Sequence, residues 1–566
     1  MKIQKKFLIT IFLLVAFIIK ANSIEIPTQY YNIDYGKKVI LTNYNVNTIN
    51  QDNPIITEIV LDKIYKFTAT QYKIEIGNPY NIIDLSSNET YTLYFTELPM
   101  VSINTDFTIQ DTPKVLADFR LIETDKNEIS TYIGIEYRGA SSQAYPKKSL
   151  EIEFWTNQDG SSTTDIPILG MMNDDSFNLQ AMYNEDTRIR SKTANELWLQ
   201  MNSLSYQDEE PNAKNGIRSH YVEVFMNNEY YGIYALGEKV NRKNLKLKKH
   251  DGSIKGELYK GDHWAGAPTM YSYDANYNNN SDYWSYFEYK HPKQEINWGN
   301  LHNFISFVVD SDQETFLQGI DSKFEINNAI DYFIFMNIIR AVDNTGKNLY
   351  IAKYDKNRKY FYVPWDLDAT FGYNWDGSLL NEYTGLLTNG MYEKLLNDDS
   401  DNSFKNTLAK KWFMLRENAL DINNIYTLLQ SNNDVLLKNN VYIREGSAWD
   451  YNYNNNAQDY MKDWLLNRIT YLDGIFSNFL STENTVNKNA DIKYFPNPVK
   501  NELNINLPKK DKMSVQIYTA SGKLAHTEST SEKDNKINLS KLTNGTYFVN
   551  CKTKKITKQF KIIVSK

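Results

Sequence analysis

The fold is decided by residues 343–372, DNTGKNLYIAKYDKNRKYFYVPWDLDATFG, in which two polar turns enclose an apolar hairpin. Asp343 and Asn348 stand five positions apart, where a predicted helix meets a predicted strand. Asp366 and Asp368 follow the second strand at positions i and i+2. Two carboxylates with this spacing can face one cation, and Mg²⁺ prefers one or two carboxylates plus phosphate oxygens. The alternative is that the two aspartates cap a turn.

The spacing of Asp343 and Asn348 matches D-x-x-x-x-N, a pattern that phosphotransferases use. In those enzymes the Asp orients the proton of the substrate hydroxyl and the Asn holds a magnesium ion. One such spacing arises often by chance. The motif therefore gains weight only from the motifs around it.

A second candidate site lies upstream, where the Gly/Ser turn at residues 138–142 joins two predicted strands. The backbone N–H groups of such a turn can bind a phosphate, and Lys148 in the next segment can reach the same anion. A solvated hairpin with surface lysines is the alternative. Glu238 follows a predicted hairpin and Arg190 opens a predicted helix, positions at which charged side chains are commonly solvated or interact with the helix dipole.

The alternation of strands and helices extends over residues 98–480 and predicts one large α+β domain or two closely packed lobes. Residues 24–97 contain short alternating polar and apolar runs, which predict a small β-rich region. Residues 481–493 are polar and predict a linker. Residues 494–566 contain short apolar runs with turns such as Ser521-Gly522, which predict a small β-sandwich.

The first 23 residues predict a removable secretory signal peptide. Lysines precede the apolar run Phe7–Ile19, and Ala21-Asn22-Ser23 supplies a cleavage site. That run is shorter than the ~20 residues that span a bilayer. A mean hydropathy of -0.56 and the absence of later long apolar runs predict no transmembrane segment in the mature chain.

Composition argues against several classes of function. A net charge of -7 over 566 residues argues against a nucleic-acid partner. Cys551 is the single cysteine, so a disulfide scaffold is excluded. The six histidines lack the spacing of zinc ligands. A glycosidase would use a carboxylate pair such as Asp366 and Asp368, but this would leave Asn348 and Lys148 without a role.

Six motifs occur in the chain order RGASSQAYPKKS, NLQAMYNEDTRIR, VFMNNEYYGIYALGEKVNR, GELYKGD, DNTGKN and PWDLDATFG. In this order they resemble the motifs of the CotH family, atypical protein kinases first associated with spore coats. The resemblance spans residues 98–480, and Ala140 stands where the family more often has Asn. It implies an α+β, kinase-like, two-lobed domain that transfers the γ-phosphoryl group of ATP to Ser or Thr hydroxyls.

The resemblance also implies site residues. Asp343 would be the catalytic aspartate, and Lys148 the lysine that holds the phosphates. The implied ligands of Mg²⁺, or alternatively Mn²⁺, are Asn348, Asp366 and Asp368. The implied nucleotide-binding residues are Arg138, Ser141, Ser142, Lys148, Arg190, Glu238, Tyr259 and Trp365, with the last two flanking the adenine ring by stacking.

The C-terminal segment 494–566 carries FPNP at residues 495–498, LTNGTY at residues 542–547 and a basic last strand. It resembles the C-terminal sorting domain of the type IX secretion system of Bacteroidetes. The resemblance implies a partner in that machinery, an exported protein as substrate, and a location at the cell surface or outside the cell. Free ATP is scarce there, so a surface module that binds a polysaccharide or a partner protein stays the alternative hypothesis.

Overall fold

The computed structural model describes residues 23–124, 128–398, 400, 403–454, 456–480, 492–519, 523–554 and 557–566. The predicted signal peptide up to residue 22, residues 481–491 of the predicted linker and the Ser521-Gly522 turn lie outside the described residues. Contacts divide the chain into two units, residues 1–398 with 410–474 and residues 399–409 with 475–566. Within the described ranges, no helix is both long enough and apolar enough to cross a membrane.

The first unit begins with a sheet of strand order β1-β4-β5-β6-β7-β3-β2. Its core is formed by buried side chains such as Ile40, Tyr65 and Leu93, as the alternating runs predict. Asp34 in β2 accepts a hydrogen bond from the backbone N–H of Tyr230 at 2.9 Å, which joins this sheet to the next layer. The elements are β1 (Ser23–Glu25), β2 (Tyr31–Asp34), β3 (Val39–Thr42), α1 (Val46–Asp52), β4 (Ile56–Val60), β5 (Ile64–Gln71), β6 (Tyr80–Asp84) and β7 (Thr90–Phe95).

A closed barrel follows, with strand order β10-β11-β12-β14-β13-β8-β9. Successive residues of a strand point to opposite faces. In β11, Ile152 and Phe154 therefore enter the barrel core, while Glu151 and Glu153 face a cleft outside it. The elements are β8 (Met100–Asn104), β9 (Val115–Ile122), β10 (Glu128–Tyr137), β11 (Leu150–Trp155), β12 (Ser176–Gln180), α2 (Arg190–Met201), β13 (Ser219–Met226) and β14 (Glu229–Gly237).

The rest of the first unit combines a sheet of order β16-β17-β15-β18-β19 with helices. Its strands are β15 (Glu257–Gly261), β16 (Tyr283–Trp284), β17 (Phe287–His291), β18 (Leu349–Lys353) and β19 (Tyr360–Pro364). The helices along this part of the chain are α3 (Arg242–Leu245), α4 (Gly299–Asp310), α5 (Gln313–Gly319), α6 (Ile326–Ile339), α7 (Gly390–Leu396), α8 (Phe404–Arg416), α9 (Ile422–Lys438), α10 (Val441–Trp449) and α11 (Ala457–Leu480), of which α8 and α11 extend into the second unit.

Helix α6 positions the motif that decides the fold. The sequence predicts a helix over residues 330–340, and the structure extends it four residues earlier, to Ile326. Residues 328–339 are all buried, because the helix packs within the unit rather than on its surface. Arg340 ends the helix in the left-handed conformation, with φ of 53°. The chain then turns directly into DNTGKN.

The second unit contains two sheets, of order β20-β21-β24 and β23-β22-β25-β26. Leu503 and Ile537 from the first sheet share a buried core with Val515 and Val549 from the second, which is the predicted sandwich. The sequence prediction missed β23, whose side chains alternate between exposed and half-buried. The strands are β20 (Lys493–Phe495), β21 (Glu502–Asn506), β22 (Met513–Thr519), β23 (Leu524–Thr530), β24 (Asp534–Asn538), β25 (Gly545–Lys552) and β26 (Thr557–Val564).

The structure therefore shows a mixed α+β fold with a β-rich C-terminal domain, as predicted. The sheet of residues 23–95 has its own core but belongs to the same unit as the barrel. The boundary between residues 97 and 98 stays a prediction.

A buried ion cluster joins helix α10 to the barrel. One carboxylate oxygen of Glu445 accepts hydrogen bonds from Lys147 Nζ and from the backbone N–H of Ile233, both at 2.7 Å. The other oxygen pairs with Arg188 at 3.1 Å. A Cβ at Gly232 would lie 2.2 Å from Glu445, so this position requires glycine. The three charged side chains are fully buried, and each depends on the others for its counter-charge.

Replacement of Glu445 by Ala leaves Lys147 and Arg188 buried without a counter-ion. We expect the free energy of unfolding to fall by about 3–5 kcal/mol, measured by guanidinium denaturation. The matched control is Glu314→Ala, which removes an exposed carboxylate from α5 and changes stability by less than about 0.5 kcal/mol. Equal effects of the two substitutions would contradict the structural role of the cluster.

Candidate active site

The β18–β19 hairpin brings the two polar turns of residues 343–372 together. Leu349 at the start of β18 pairs with Pro364 at the end of β19. Just beyond this pair, the backbone N–H of Trp365 donates to the carbonyl of Asn348 at 3.1 Å. Asn348 and Asp366 consequently lie at the same end of the hairpin.

Asn344 links these turns to each other and to helix α6. Its side-chain amide donates to the carbonyl of Asn348 at 2.6 Å and to that of Trp365 at 3.0 Å. Its own carbonyl accepts a hydrogen bond from the hydroxyl of Tyr332 in α6 at 2.9 Å. Asn344 is only 2% exposed, so water cannot readily replace these bonds. The sequence prediction assigned it no role, although it lies within DNTGKN.

Two of the predicted metal ligands have left-handed backbones, with φ of 55° at Asn348 and 56° at Asp366. Residues other than glycine adopt this conformation at a cost of roughly 1–2 kcal/mol, and such residues concentrate at functional sites. The side-chain amide of Asn348 donates to the carboxylate of Asp343 at 3.5 Å, a long contact. Asp343, Asn348 and Asp366 therefore converge on one cleft, which they all line.

The acidic residues of this cleft influence each other electrostatically. Burial raises the pKa of Asp343; the ammonium of Lys347 opposes this shift and the charge of Asp366 adds to it. Burial and the neighbouring Asp366 raise the pKa of Asp368 to about 8, although the positive charge of Arg190 opposes the shift. Carboxylates that repel each other in this way favour a proton or a cation between them.

Another acidic group has a structural role. Among the described residues, the carboxylates of Asp165, Asp174 and Asp175 form one group whose ligand atoms lie within 4.8 Å of one another. The ammonium of Lys243 lies at 2.5, 2.9 and 3.2 Å from them. Lys243 therefore already pairs with all three carboxylates, and we assign no metal to this group.

The Gly/Ser turn at residues 138–142 forms the wall of the cleft opposite Asp343, Asn348 and Asp366. The volume of the cleft is about 1450 Å³. Arg138, Ser141 and Ser142 all line it. Gly139 has φ of 99°, and a Cβ there would lie 2.0 Å from Ser142 Oγ, so the turn requires glycine. The guanidinium of Arg138 lies over the ring of Trp365 at 5.5 Å and links this turn to PWDLD.

The structure does not bring Lys148 to the cleft. Its ammonium donates to the carbonyls of Gln143 at 2.6 Å and Tyr145 at 2.7 Å, and so holds the turn closed. Lys147 lines the cleft instead, but its ammonium is bound to Glu445. Burial lowers the pKa of Lys147 to about 8, against the effect of Glu445. The alternation of β11, in which odd-numbered residues face the cleft, indicated Lys147 from the sequence alone.

Lys260 in β15 is a cleft cation that the sequence prediction missed. Its ammonium has no hydrogen-bond or ion-pair partner among the described residues. Burial lowers its pKa, while the charges of Glu288 and Asp366 oppose this and that of Arg138 adds to it. The signal was the motif GELYKGD, which places a lysine between Tyr259 and Gly261 of the strand.

Tyr259 and Trp365 do not face each other across the cleft. Tyr259 is fully buried, and its hydroxyl donates to Glu257 at 2.7 Å. Its ring packs against Tyr289 at 5.1 Å and Trp298 at 5.7 Å. Because neighbouring residues of β15 alternate in direction, Lys260 points into the cleft and Tyr259 away from it. Trp365 lines the cleft and is 9% exposed.

Arg190 and Glu238 lie outside the lining of the cleft. The guanidinium of Arg190 stacks on the ring of Tyr373 at 3.6 Å, and its charge acts on Asp368. Glu238 accepts hydrogen bonds from the backbone N–H of Arg218 at 2.8 Å and from that of Met172 at 2.7 Å. Neither Arg190 nor Glu238, both implied to bind the nucleotide, therefore lines the cleft in this structure.

The raised pKa of Asp368 predicts a dependence of stability on pH. The unfolded carboxyl titrates near pH 4, so between about pH 4 and pH 8 the folded chain holds a proton that the unfolded chain releases. The stabilisation from this group is complete below pH 4 and disappears as the pH rises through 8.

We expect Asp368→Asn, which keeps a neutral side chain, to abolish this loss. Thermal unfolding in EDTA should show the variant gaining stability relative to the parent chain as the pH rises from 4 to 8. The exposed Asp321 serves as the control site, since Asp321→Asn should follow the parent chain. A constant difference between Asp368→Asn and the parent chain would contradict the assignment.

Comparisons with known proteins agree with the motifs. The family model "CotH kinase protein" matches residues 135–472, within the span that the motifs predict. The model "Secretion system C-terminal sorting domain" matches residues 493–565. No curated protein matches the chain.

One similar solved structure is PorZ, described as an essential bacterial surface component of the type-IX secretion system of Porphyromonas gingivalis. The identity is 18% and the TM-score 0.12, and the similarity covers 13% of this chain and 11% of PorZ. A similarity of this extent carries no argument about fold or function. Since the CotH model matches more than half of its residues, the chain belongs to the CotH family, and it carries a C-terminal secretion sorting domain.

Proposed function

We propose that this CotH protein is an exported kinase that transfers the γ-phosphoryl group of ATP to a Ser or Thr hydroxyl of another exported protein. The observation that carries the proposal is the convergence of Asp343, Asn348 and Asp366 at one end of the β18–β19 hairpin. They face a cleft in which basic side chains outnumber acidic ones. Phosphoryl transfer needs this combination, since positioning and charge neutralisation supply most of the catalysis.

The donor set fits Mg²⁺, with Mn²⁺ as the alternative. Asn348, Asp366 and Asp368 would hold the ion through amide and carboxylate oxygens, the ligands that Mg²⁺ prefers. The ion, when bound, would neutralise charge on the phosphate oxygens. The carboxylates of Asp343, Asp366 and Asp368 are less tightly grouped than those around Lys243. This spacing suits an ion that also takes phosphate oxygens as ligands.

Asp343 is the proposed base. The acceptor oxygen bonds to the γ-phosphorus, the bond from that phosphorus to the bridging oxygen breaks, and ADP leaves. The hydroxyl proton passes to the Asp343 carboxylate. A carboxylate whose pKa is raised by burial accepts a proton more readily than an exposed one.

Arg138, the Ser141–Ser142 turn and Lys260 would bind the phosphates. Lys260 suits this role best, because its ammonium lacks a protein partner, whereas those of Lys147 and Lys148 are already bound. An adenine ring would stack on Trp365 after Arg138 moves from its face. We propose the barrel and the β15–β19 sheet, which carry the facing walls, as the two lobes of a kinase-like domain.

The sorting domain supports the location of the reaction. It indicates export by the type IX secretion system to the cell surface or the medium. The acceptor is then a protein that shares this route. ATP must be supplied during transit or by the surroundings of the cell, because free ATP is scarce outside.

Asp343→Ala removes the proposed base but leaves the phosphate-binding wall intact. We expect transfer from labelled ATP to fall at least ~100-fold, while calorimetry still detects binding of ATP. Asp366→Ala should also lower transfer and raise the Mg²⁺ concentration that the remaining activity needs, because it removes a proposed ligand of the ion. The matched control is Asp355→Ala at the opposite end of the same hairpin, which should keep full activity. Activity that survives both site substitutions would refute the proposed function.

Lys260→Gln removes the unpartnered cation of the cleft. Because a charge-assisted hydrogen bond contributes about 1.5–3 kcal/mol, the Kd for ATP should rise about 10- to 100-fold in calorimetry. Lys148→Gln is the control, since its ammonium holds two backbone carbonyls, and it should change the Kd much less. A larger effect at Lys148 would restore the role that the family resemblance implies for it.

A further inference from the structure

A segment of irregular backbone, residues 379–388, follows the PWDLD loop and is here named the strap. A bridge between Tyr373 and Leu379 opens it, and α7 begins shortly after it. The strap returns to the catalytic turn, where the side chain of Asn389 donates to the carbonyl of Thr345 at 3.4 Å. Asn337 in α6 holds its end by donating to the carbonyl of Leu387 at 3.1 Å and accepting from that residue's N–H at 2.8 Å.

Two arginines bind three successive carbonyls in the middle of the strap. Arg468 Nη1 donates to Tyr383 at 2.9 Å and to Gly385 at 2.7 Å. Arg340 Nη1 donates to the intervening carbonyl of Thr384 at 2.8 Å. The backbone of Thr384 is thereby fixed from both sides. Its side chain is exposed, and its hydroxyl has no hydrogen-bond partner among the described residues.

The two arginines are short of negative charge. Arg468 is fully buried and has no carboxylate within ion-pair distance in the described part of the chain. Arg340 pairs with Glu382 at 2.7 Å, but that carboxylate is largely exposed. The buried Nε of Arg340 has no acceptor. Burial and the like charge of Arg340 lower the pKa of Arg468 to about 9, which leaves the side chain cationic at neutral pH.

We propose that Thr384 is a phosphorylation site of this chain and that its phosphate pairs with Arg340. The proposal rests on the proposed kinase function. A phosphate carries about -1.5 to -2 charges and has three acceptor oxygens, which is the anion that an under-neutralised arginine pair attracts. Of the two threonines in the strap, only Thr384 combines exposure with this position, since Thr388 is half-buried and donates to Glu393 at 3.4 Å.

The transfer uses ATP as the donor. The Thr384 Oγ1 bonds to the γ-phosphorus, the bond to the β–γ bridging oxygen breaks, and ADP leaves with the bonding electrons. The hydroxyl proton passes to the Asp343 carboxylate of the catalysing chain. Phosphate on Thr384 then acts on the site through Arg340, which ends α6 only three residues before Asp343.

The first experiment incubates the full chain with ATP and Mg²⁺, maps phosphopeptides by mass spectrometry and measures ADP in the same reaction. We expect one dominant phosphate on Thr384. It should be lost in Thr384→Ala and in Asp343→Asn and retained in Thr388→Ala. ADP formation that depends on Asp343 with Thr384 unmodified would overturn this inference alone. The absence of both ADP and phosphate would overturn the proposed function together with it.

A second experiment tests the arginine pair without any catalysis. Thr384→Glu adds a negative charge at the proposed site, and Thr384→Gln is its neutral match. We expect the Glu variant to melt at a higher temperature than the Gln variant in the parent background. In an Arg340→Gln background this difference should disappear. A difference that persists without Arg340, or one that is absent from the parent, would show that Arg340 is not the partner.

Discussion

The candidate active site depends on the two hydrogen bonds that the Asn344 amide donates to the carbonyls of Asn348 and Trp365. These bonds hold the two polar turns at the end of the β18–β19 hairpin at a fixed distance. The turns contain two left-handed residues, Asn348 and Asp366, which persist only where the surrounding structure determines them. The buried hairpin and α6 supply that structure, since Tyr332 fixes Asn344 in turn.

The sequence predicted those parts of the site that depend on local structure. Helix α6, the hairpin and the positions of Asp343, Asn348 and Asp366 follow from periodicity and motif spacing, because all of them lie within one continuous stretch of chain. Most strands of the sorting domain, though not β23, were predicted for the same reason. Periods of two and 3.6 residues are local signals that do not require knowledge of the tertiary fold.

Long-range contacts could not be predicted in this way. Glu445 and Lys147 are 298 positions apart, and nothing in either segment indicates the pair. The burial of Tyr259 depends on Trp298 and Tyr289, which reach it through sheet pairing and helix packing. Lys147 and Lys148, in contrast, could have been distinguished from the sequence. The apolar residues of β11 occupy even-numbered positions, and this alternation, continued back to Lys147, indicates that the odd-numbered lysine faces away from the barrel core.

The two acidic groups of the protein, one around Lys243 and one at Asp343, Asp366 and Asp368, differ in their counter-charges. Around Lys243, the carboxylates of Asp165, Asp174 and Asp175 all pair with one ammonium group. Asp343, Asp366 and Asp368 line the same cleft as this group, without an ion-pair partner among the described residues. Burial and the charge of Asp366 raise the pKa of Asp368, and Lys260 has no hydrogen-bond or ion-pair partner in the described part of the chain.

The guanidinium of Arg190 lies behind this cleft, and its three nitrogens are buried without hydrogen-bond acceptors. Buried polar groups without partners reduce stability. Such costs concentrate where a protein is built for a ligand rather than for its own folding. The strained backbone of Asn348 and Asp366 lies at the same place. The strained backbone and the unpaired arginine thus lie at or beside the proposed active site, where a site that binds a charged ligand would carry such costs.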